Sequence, residues 1–199
     1  METINDLNKH HNKKILFDQI EKLAEYIHQE AKEGTAIHHV EQGIWDKLLV
    51  IGNQALGQFI ALQGNGDKGK EIELSNGNTV KRLPRKQTRL YRSIFGSYSF
   101  ERVVYGSREG QKVEFVPLDN RLQLPETRFS YVLQDWNQQL SVENPFNQVD
   151  KVLERILKLK QPIDSIERMA YQGAQSVAAF RDNLATLQPE DVIIGTKFL

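Results

Sequence analysis

Eight cations lie between Lys81 and Arg108: Lys81, Arg82, Arg85, Lys86, Arg89, Arg92, Arg102 and Arg108, against the single acid Glu101. The segment therefore carries seven net positive charges in a chain whose formal net charge is zero. Tyr91, Phe95, Tyr98 and Tyr105 are interleaved with them. Cations at this density neutralise phosphates and release counterions, while aromatic faces pack on sugars or bases, so the pattern suits a polyanion. A solvated basic hairpin with core aromatics has the same composition and is the alternative.

A second set of candidate residues sits on a predicted helix from Asp164 to about Leu184. Asp164-Ser165-Ile166-Glu167 has the form of a capping box, with the Asp164 carboxylate placed to accept the amides of the first turn. Before it, Phe146, Val149, Val152, Leu153, Ile156 and Leu157 mark another helix that starts near Ser141 to Pro145, and Pro162 interrupts. Helix, turn and capped helix over Ser141 to Phe180 is the outline of a helix-turn-helix, whose second helix lies in a major groove. Helical spacing puts Ile166, Met169, Ala170, Gly173 and Val177 toward the core. It leaves Ser165, Arg168, Tyr171, Gln172 and Gln175 outward, and arginine and glutamine suit guanine and adenine edges. Plain packing of three helices around a proline turn produces the same pattern. The candidate DNA-binding residues are thus Lys81, Arg82, Arg85, Lys86, Arg89, Arg92, Arg102, Arg168, Tyr171, Gln172 and Gln175.

Other chemistry finds little support. His10-His11 and His38-His39 are adjacent pairs whose members point to different sides of a helix, and no His-Glu-x-x-His spacing occurs. No Gly-x-Ser-x-Gly motif or grouped carboxylates appear. Gly64-Asn65-Gly66-Asp67-Lys68-Gly69 resembles a phosphate loop only superficially, since it follows a helix and precedes strands; it reads as a linker. We expect no metal, no cofactor and no small-molecule substrate.

The elements that carry these residues follow from hydrophobic period. Leu16, Ile20, Leu23, Ile27 and Ala31 predict a first helix that Gly34 stops. Ile44, Leu48, Ile51, Ala55, Phe59 and Leu62, with Trp45 beside them, predict a second from about Val40 to Gln63. The two suggest an antiparallel hairpin or a dimerising pair. Glu71 to Leu74 and Thr79 to Leu83 flank Ser75-Asn76-Gly77-Asn78, a strong hairpin signal. Further strands are expected at Arg89 to Phe95, Tyr98 to Tyr105 and Lys112 to Val116, with turns at Gly96-Ser97 and Gly106-Ser107 and with Pro117 ending the sheet. Tyr98, Phe100, Arg102 and Val104 alternate with Ser99, Glu101, Val103 and Tyr105, the period of a half-buried strand. Tyr131 to Leu140 predicts a short helix.

The expected fold class is α+β: an amino-terminal helical hairpin (1–63), a small antiparallel β-sheet with the basic segment (70–118), a helix-turn-helix-like bundle (127–186) and a tail (187–199). A chain of 199 residues with 39% hydrophobic and 26% charged residues describes a globular protein with room for a core. It has no cysteine, which excludes disulfides and thiolate zinc sites. No apolar run approaches the ~20 residues that span a bilayer, and no signal peptide is evident at the start, so the expected compartment is the cytoplasm without membrane contact.

The block SIFGSYSFERVVYGSREGQKVEFVPLDNRLQLP, with GQFIALQGNGD, KRLPRKQTRLYRSIFG and FSYVLQDWNQQLSVENPFNQVDKVLERILKLKQPIDSIERM, resembles the amino-terminal half of bacterial insertion-sequence transposases of the Kra group, a DDE-type family. The resemblance spans about Val40 to Phe180. It implies recognition of the element's ends in double-stranded DNA, ahead of a ribonuclease-H-like catalytic core. The family continues into a strand and an Ala-Asp-Gly-Lys-Gly-like segment with the first catalytic aspartate. Val192-Ile193-Ile194 fits the strand, but Gly195 to Leu199 supplies no aspartate, so no residue inherits a catalytic role and the chain is expected not to be an enzyme by itself. The alternative is a regulatory fragment whose Leu16 to Leu62 helices dimerise with a full-length transposase and inhibit it; the expected protein partners are that transposase or a second copy in a homo-oligomer.

Overall fold

The computed structural model describes residues 4–107 and 113–185, with side chains over 14–107 and 113–174. The architecture is α+β, and the chain divides into two compact units at Tyr131/Val132.

The first unit opens with α1 (Ile4–Glu33) and α2 (Ile37–Leu62). Gly34, at φ +67°, terminates α1 in the left-handed conformation, and the Thr35 amide reaches back to the Glu30 carbonyl at 3.1 Å, a Schellman closure. The helices pack against each other with Tyr26 seated over Gly43, where a Cβ would lie 2.0 Å from the tyrosine hydroxyl oxygen. The expected apolar stripes split: Leu16, Leu23, Ile44 and Ile51 are half-buried, whereas Ile20, Ile27, Leu48, Phe59 and Leu62 stay exposed.

Residues 63–69 are built into the unit and are not the linker expected. Asp67 accepts the Gly69 amide at 2.9 Å and Arg82 Nη1 at 2.6 Å. The hydroxyl of the fully buried Tyr105 accepts the Lys68 amide at 2.8 Å and donates to the Gly69 carbonyl at 3.0 Å. The helical hairpin and the β module, expected as separate pieces, fall within this one unit.

Strands β1 (Glu71–Glu73) and β2 (Thr79–Arg82) pair antiparallel through a loop in which Leu74 accepts from the Gly77 amide, with Gly77 at φ +80°. Strands β3 (Gln87–Ser93) and β4 (Gly96–Arg102) form a second hairpin. Its turn residues are Ile94-Phe95; Gly96 opens β4 at φ +139°, a conformation glycine alone adopts readily. The strand expected over Tyr98 to Tyr105 is broken. Alternation holds to Arg102, then Val103, Val104 and Tyr105 are all buried, and β5 (Tyr105–Gly106) pairs with β2 in the other sheet. The Val103 amide is taken by the Asn65 carbonyl at 2.9 Å, so the ladder cannot continue. Of the strand expected at Lys112 to Val116, residue 112 lies outside the described residues and the remainder forms a single bridge, Phe115 to Tyr105. Val80, Val103 and Tyr105 form the core here, with Ile72, Leu74 and Phe115 packed on it. Pro117 starts α3 (Pro117–Leu122), a helix the sequence reading lacked.

The second unit holds α4 (Tyr131–Glu143), α5 (Phe146–Leu157) and α6 (Ile163–Ala185). Leu133, Val149, Leu153, Leu157, Ile166 and Met169 are buried. Truncating such a residue to alanine costs about 2 to 5 kcal/mol. Lys158, left-handed at φ +55°, ends α5, and Asp150 accepts the Gln161 amide at 2.8 Å to hold the turn into α6. Asp164 does not cap α6. The helix begins one residue before it, with the Ser165 and Ile166 amides bonded to the Pro162 carbonyl at 2.9 and 3.3 Å. Asp164 therefore sits inside the first turn, where its charge favours the helix dipole.

Candidate nucleic-acid interface

The period of two in β3 decides what its cations do. Arg89 lies on the face it shares with Tyr91, Tyr98, Phe100 and Arg102; Arg92 lies on the other, with Leu90, Ser97 and Ser99. Arg89 donates to the carbonyls of Pro125, Glu126 (3.4 Å) and Thr127 (2.7 Å), clamping a later loop. Arg102 pairs with Asp119, the two side chains being only 13% and 22% exposed. Burial lowers the pKa of both guanidiniums, and for Arg102 the neighbouring Arg89 adds to it, but arginine stays charged throughout the useful range. The geometry thus draws Arg89 and Arg102 from the expected set into internal structural roles.

The outer edge is different. Lys81 pairs with Glu71 at 3.3 Å, Arg82 with Asp67 at 2.6 Å and Lys86 with Glu101 at 3.1 Å, through side chains 38 to 68% exposed. Seven described cations of the run therefore face four carboxylates, and the surface is far less positive than the linear count. Exposed pairs of this kind are worth about 0 to 1 kcal/mol, so a phosphate can exchange for a carboxylate. Arg85 is exposed in the segment before β3. Arg108 lies outside the described residues.

Arg92 is brought beside a cation that the sequence reading missed. The Arg92 amide donates to the Arg128 carbonyl at 2.7 Å and the Ser130 amide to the Arg92 carbonyl at 2.8 Å, so residues 128–130 run alongside β3. Arg92, Arg128, Leu90, Tyr91, Ser97 and Tyr98 line a cleft of about 110 Å³. Burial raises the pKa of Tyr91 and Tyr98, keeping both hydroxyls protonated. Arg128 also lies over the Phe129 ring at 5.0 Å. A lone arginine in Glu126-Thr127-Arg128-Phe129 carries no signal in one dimension; backbone pairing 36 residues away creates its neighbour.

In the second unit α6 turns Ile166 and Met169 fully inward, and Gly173 lies where a Cβ would meet the Gln138 amide at 2.5 Å. Arg168, Tyr171 and Gln172 are exposed, as the helical spacing predicts. Ser165 is the exception: expected outward, it is buried at 5%, because it falls one turn before Met169 on the packed side. The Gln175 and Val177 side chains lie outside the described ones. Among the described residues no cluster of three or more His, Asp or Glu could hold a metal ion, and no helix is long and apolar enough to cross a membrane.

Comparison with family models, with curated proteins and with solved structures finds no match to this chain.

Proposed function

We propose that this chain is a DNA-binding module, and specifically the end-recognition region of an insertion-sequence transposase of the Kra group, engaging double-stranded DNA in the cytoplasm without contributing catalytic residues. The observation that carries the reading is the face of α6: Arg168, Tyr171 and Gln172 are exposed within its first three turns while Ile166 and Met169 anchor the opposite side. A helix held in this way after a turn presents base-reading side chains near its amino end. The exposed edge of Lys81, Arg82, Arg85 and Lys86, with Arg92 and Arg128, supports it as a phosphate-contacting surface.

The test is selection of preferred sequences from a random duplex pool, followed by titration against the selected and a scrambled duplex. Arg168→Ala or Gln172→Ala is expected to remove about 1 to 3 kcal/mol of preference while leaving scrambled-duplex binding nearly constant. Absence of any duplex affinity at low salt refutes the reading. Equal loss on both duplexes refutes the role given to α6.

A further inference from the structure

Asn-Gly occurs twice in the chain, at Asn65-Gly66 and at Asn76-Gly77. The dipeptide has a chemistry of its own, because glycine carries no side chain to keep its amide nitrogen from the side-chain carbon of the asparagine before it. Both asparagines are polarised alike for that attack. Asn65 Oδ1 accepts the Asp67 amide at 3.0 Å, and Asn76 Oδ1 accepts the Asn78 amide at 3.0 Å. Each bond draws electrons from the side-chain carbonyl and stabilises the negative charge that develops on its oxygen.

Freedom to turn separates the two sites. For the glycine nitrogen to close on the side-chain carbon, the bond from the asparagine Cα to its carbonyl carbon must rotate, and the carbonyl oxygen swings with it. At Asn65 that oxygen accepts the amide of the buried Val103 at 2.9 Å, so rotation strands a buried donor. Gly66 is also hemmed in: a Cβ there would lie 2.9 Å from the Leu118 backbone nitrogen, and the adjacent Asp67 is held by Arg82 at 2.6 Å. Asn76 and Gly77, by contrast, lie at the exposed tip of the β1–β2 hairpin, with nothing within 4 Å of a Gly77 Cβ. The Asn76 carbonyl accepts no hydrogen bond from a described residue. The Gly77 amide must release the Leu74 carbonyl, 2.9 Å away, but it does so at an exposed turn where water takes over the bond.

We propose that Asn76 is a site of spontaneous modification in the folded protein, and that the fold protects Asn65 from the same reaction. The Gly77 nitrogen gives up its proton to hydroxide and bonds to Asn76 Cγ. The bond from Cγ to Nδ2 then breaks, the leaving nitrogen takes a proton from water and departs as ammonia, and a succinimide ring remains. Water opens the ring at either carbonyl. Opening at the former side-chain carbonyl leaves aspartate, whereas opening at the main-chain carbonyl leaves isoaspartate, whose backbone runs through the side-chain carbon. Either product adds one negative charge to a chain whose formal net charge is zero. Isoaspartate also lengthens the main chain between Leu74 and Asn78, whose amide-to-carbonyl bond at 2.8 Å closes the hairpin that pairs Glu71 with Lys81. This chemistry is independent of DNA binding.

Peptide mass spectrometry on the full chain tests it. Folded protein and protein unfolded in urea are incubated side by side in mildly alkaline buffer, with circular dichroism confirming each state. Trypsin then cuts after Lys47, Lys68, Lys70 and Lys81, which places Asn65 in the peptide 48–68 and Asn76 in the peptide 71–81, and fragment ions assign each change to its residue. In the folded protein Asn76 is expected to convert to aspartate and isoaspartate at least about tenfold faster than Asn65, the factor set by stranding one buried amide. In urea the two rates should converge, since the same dipeptide then has no fold around it. An Asn76 that stays intact in the folded protein while the unfolded chain converts overturns the proposal, as does an Asn65 that keeps pace with it. A gap that persists in urea would trace the difference to local sequence and overturn the protection assigned to the fold.

Discussion

Arg89 Nη2 donates to the Thr127 carbonyl at 2.7 Å, tying β3 to a loop 38 residues further along the chain. An arginine in the middle of a basic run is thereby a clamp within the fold. Arg85, four residues earlier, is exposed and free to meet solvent or phosphate.

Arg89→Ala is therefore expected to lower unfolding free energy by about 1.5 to 3 kcal/mol, the range for hydrogen bonds from charged groups. Arg85→Ala should stay within about 0.5 kcal/mol of wild type. If Arg85 contacts a phosphate, its loss should reduce the slope of log affinity against log salt by about 0.9. Urea titrations and salt-dependent DNA titrations on both variants separate the roles; equal stability losses would contradict the assignment.

The Asp67 carboxyl is held below the usual aspartate range by the Gly69 amide first, then by Arg82 and Tyr105. A lowered folded pKa means stabilisation that is complete above the unfolded value, near 3.9, and is lost as pH falls through the folded one. Glu114, lowered by its bonds to Ser107, acts in the same direction. The urea midpoint should drop on acidification below about pH 4, and less steeply in Asp67→Asn. A variant with the wild-type acid slope would show that Asp67 is not among the responsible groups.

Gly96 and Gly77 both have positive φ, and their substitutions should differ. At Gly96, φ +139° is outside the left-handed helical region, and a Cβ would lie 2.4 Å from Asn53 Nδ2, which donates to the Phe95 carbonyl at 2.9 Å. Gly96→Ala is expected to cost about 1 to 3 kcal/mol in backbone strain, with further loss from displacing Asn53. At Gly77, φ +80° and no atom lies within 4 Å. Gly77→Asn should cost under about 1 kcal/mol, since asparagine tolerates this conformation. Thermal melts of the two variants compare them directly.

Tyr171 gives a further check on α6. It is 65% exposed on a helix whose opposite side is core. Tyr171→Ala should leave the melting temperature within about 2 °C of wild type, since exposed substitutions are nearly neutral. A much larger drop would mean that this face is packed and unavailable to a ligand.

Local periodicity made much of this chain legible. The α+β class, the long first helices, the Asn76-Gly77 hairpin, and the inward Ile166 and Met169 with outward Arg168, Tyr171 and Gln172 all follow from spacing and turn chemistry, which act between residues near in sequence. The period of two in β3 also separates Arg89 from Arg92, although charge counting treats them alike.

Tertiary structure decided the rest, because a charge or polar group is defined by what approaches it. Asp67, Glu71 and Asp119, outside the basic run, fold back to neutralise Arg82, Lys81 and Arg102. Val103 is pulled from its strand by the Asn65 carbonyl, which ends the alternation at Arg102. The glycine-rich segment from Gly64 is tied down by distant partners, the buried Tyr105 hydroxyl bonding its backbone and Arg82 its Asp67 carboxylate. Arg128 acquires its place beside Arg92 through the backbone pairing of Arg92 with residues 128 and 130. Each of these contacts joins residues far apart in the chain, and no window of local sequence contains both partners.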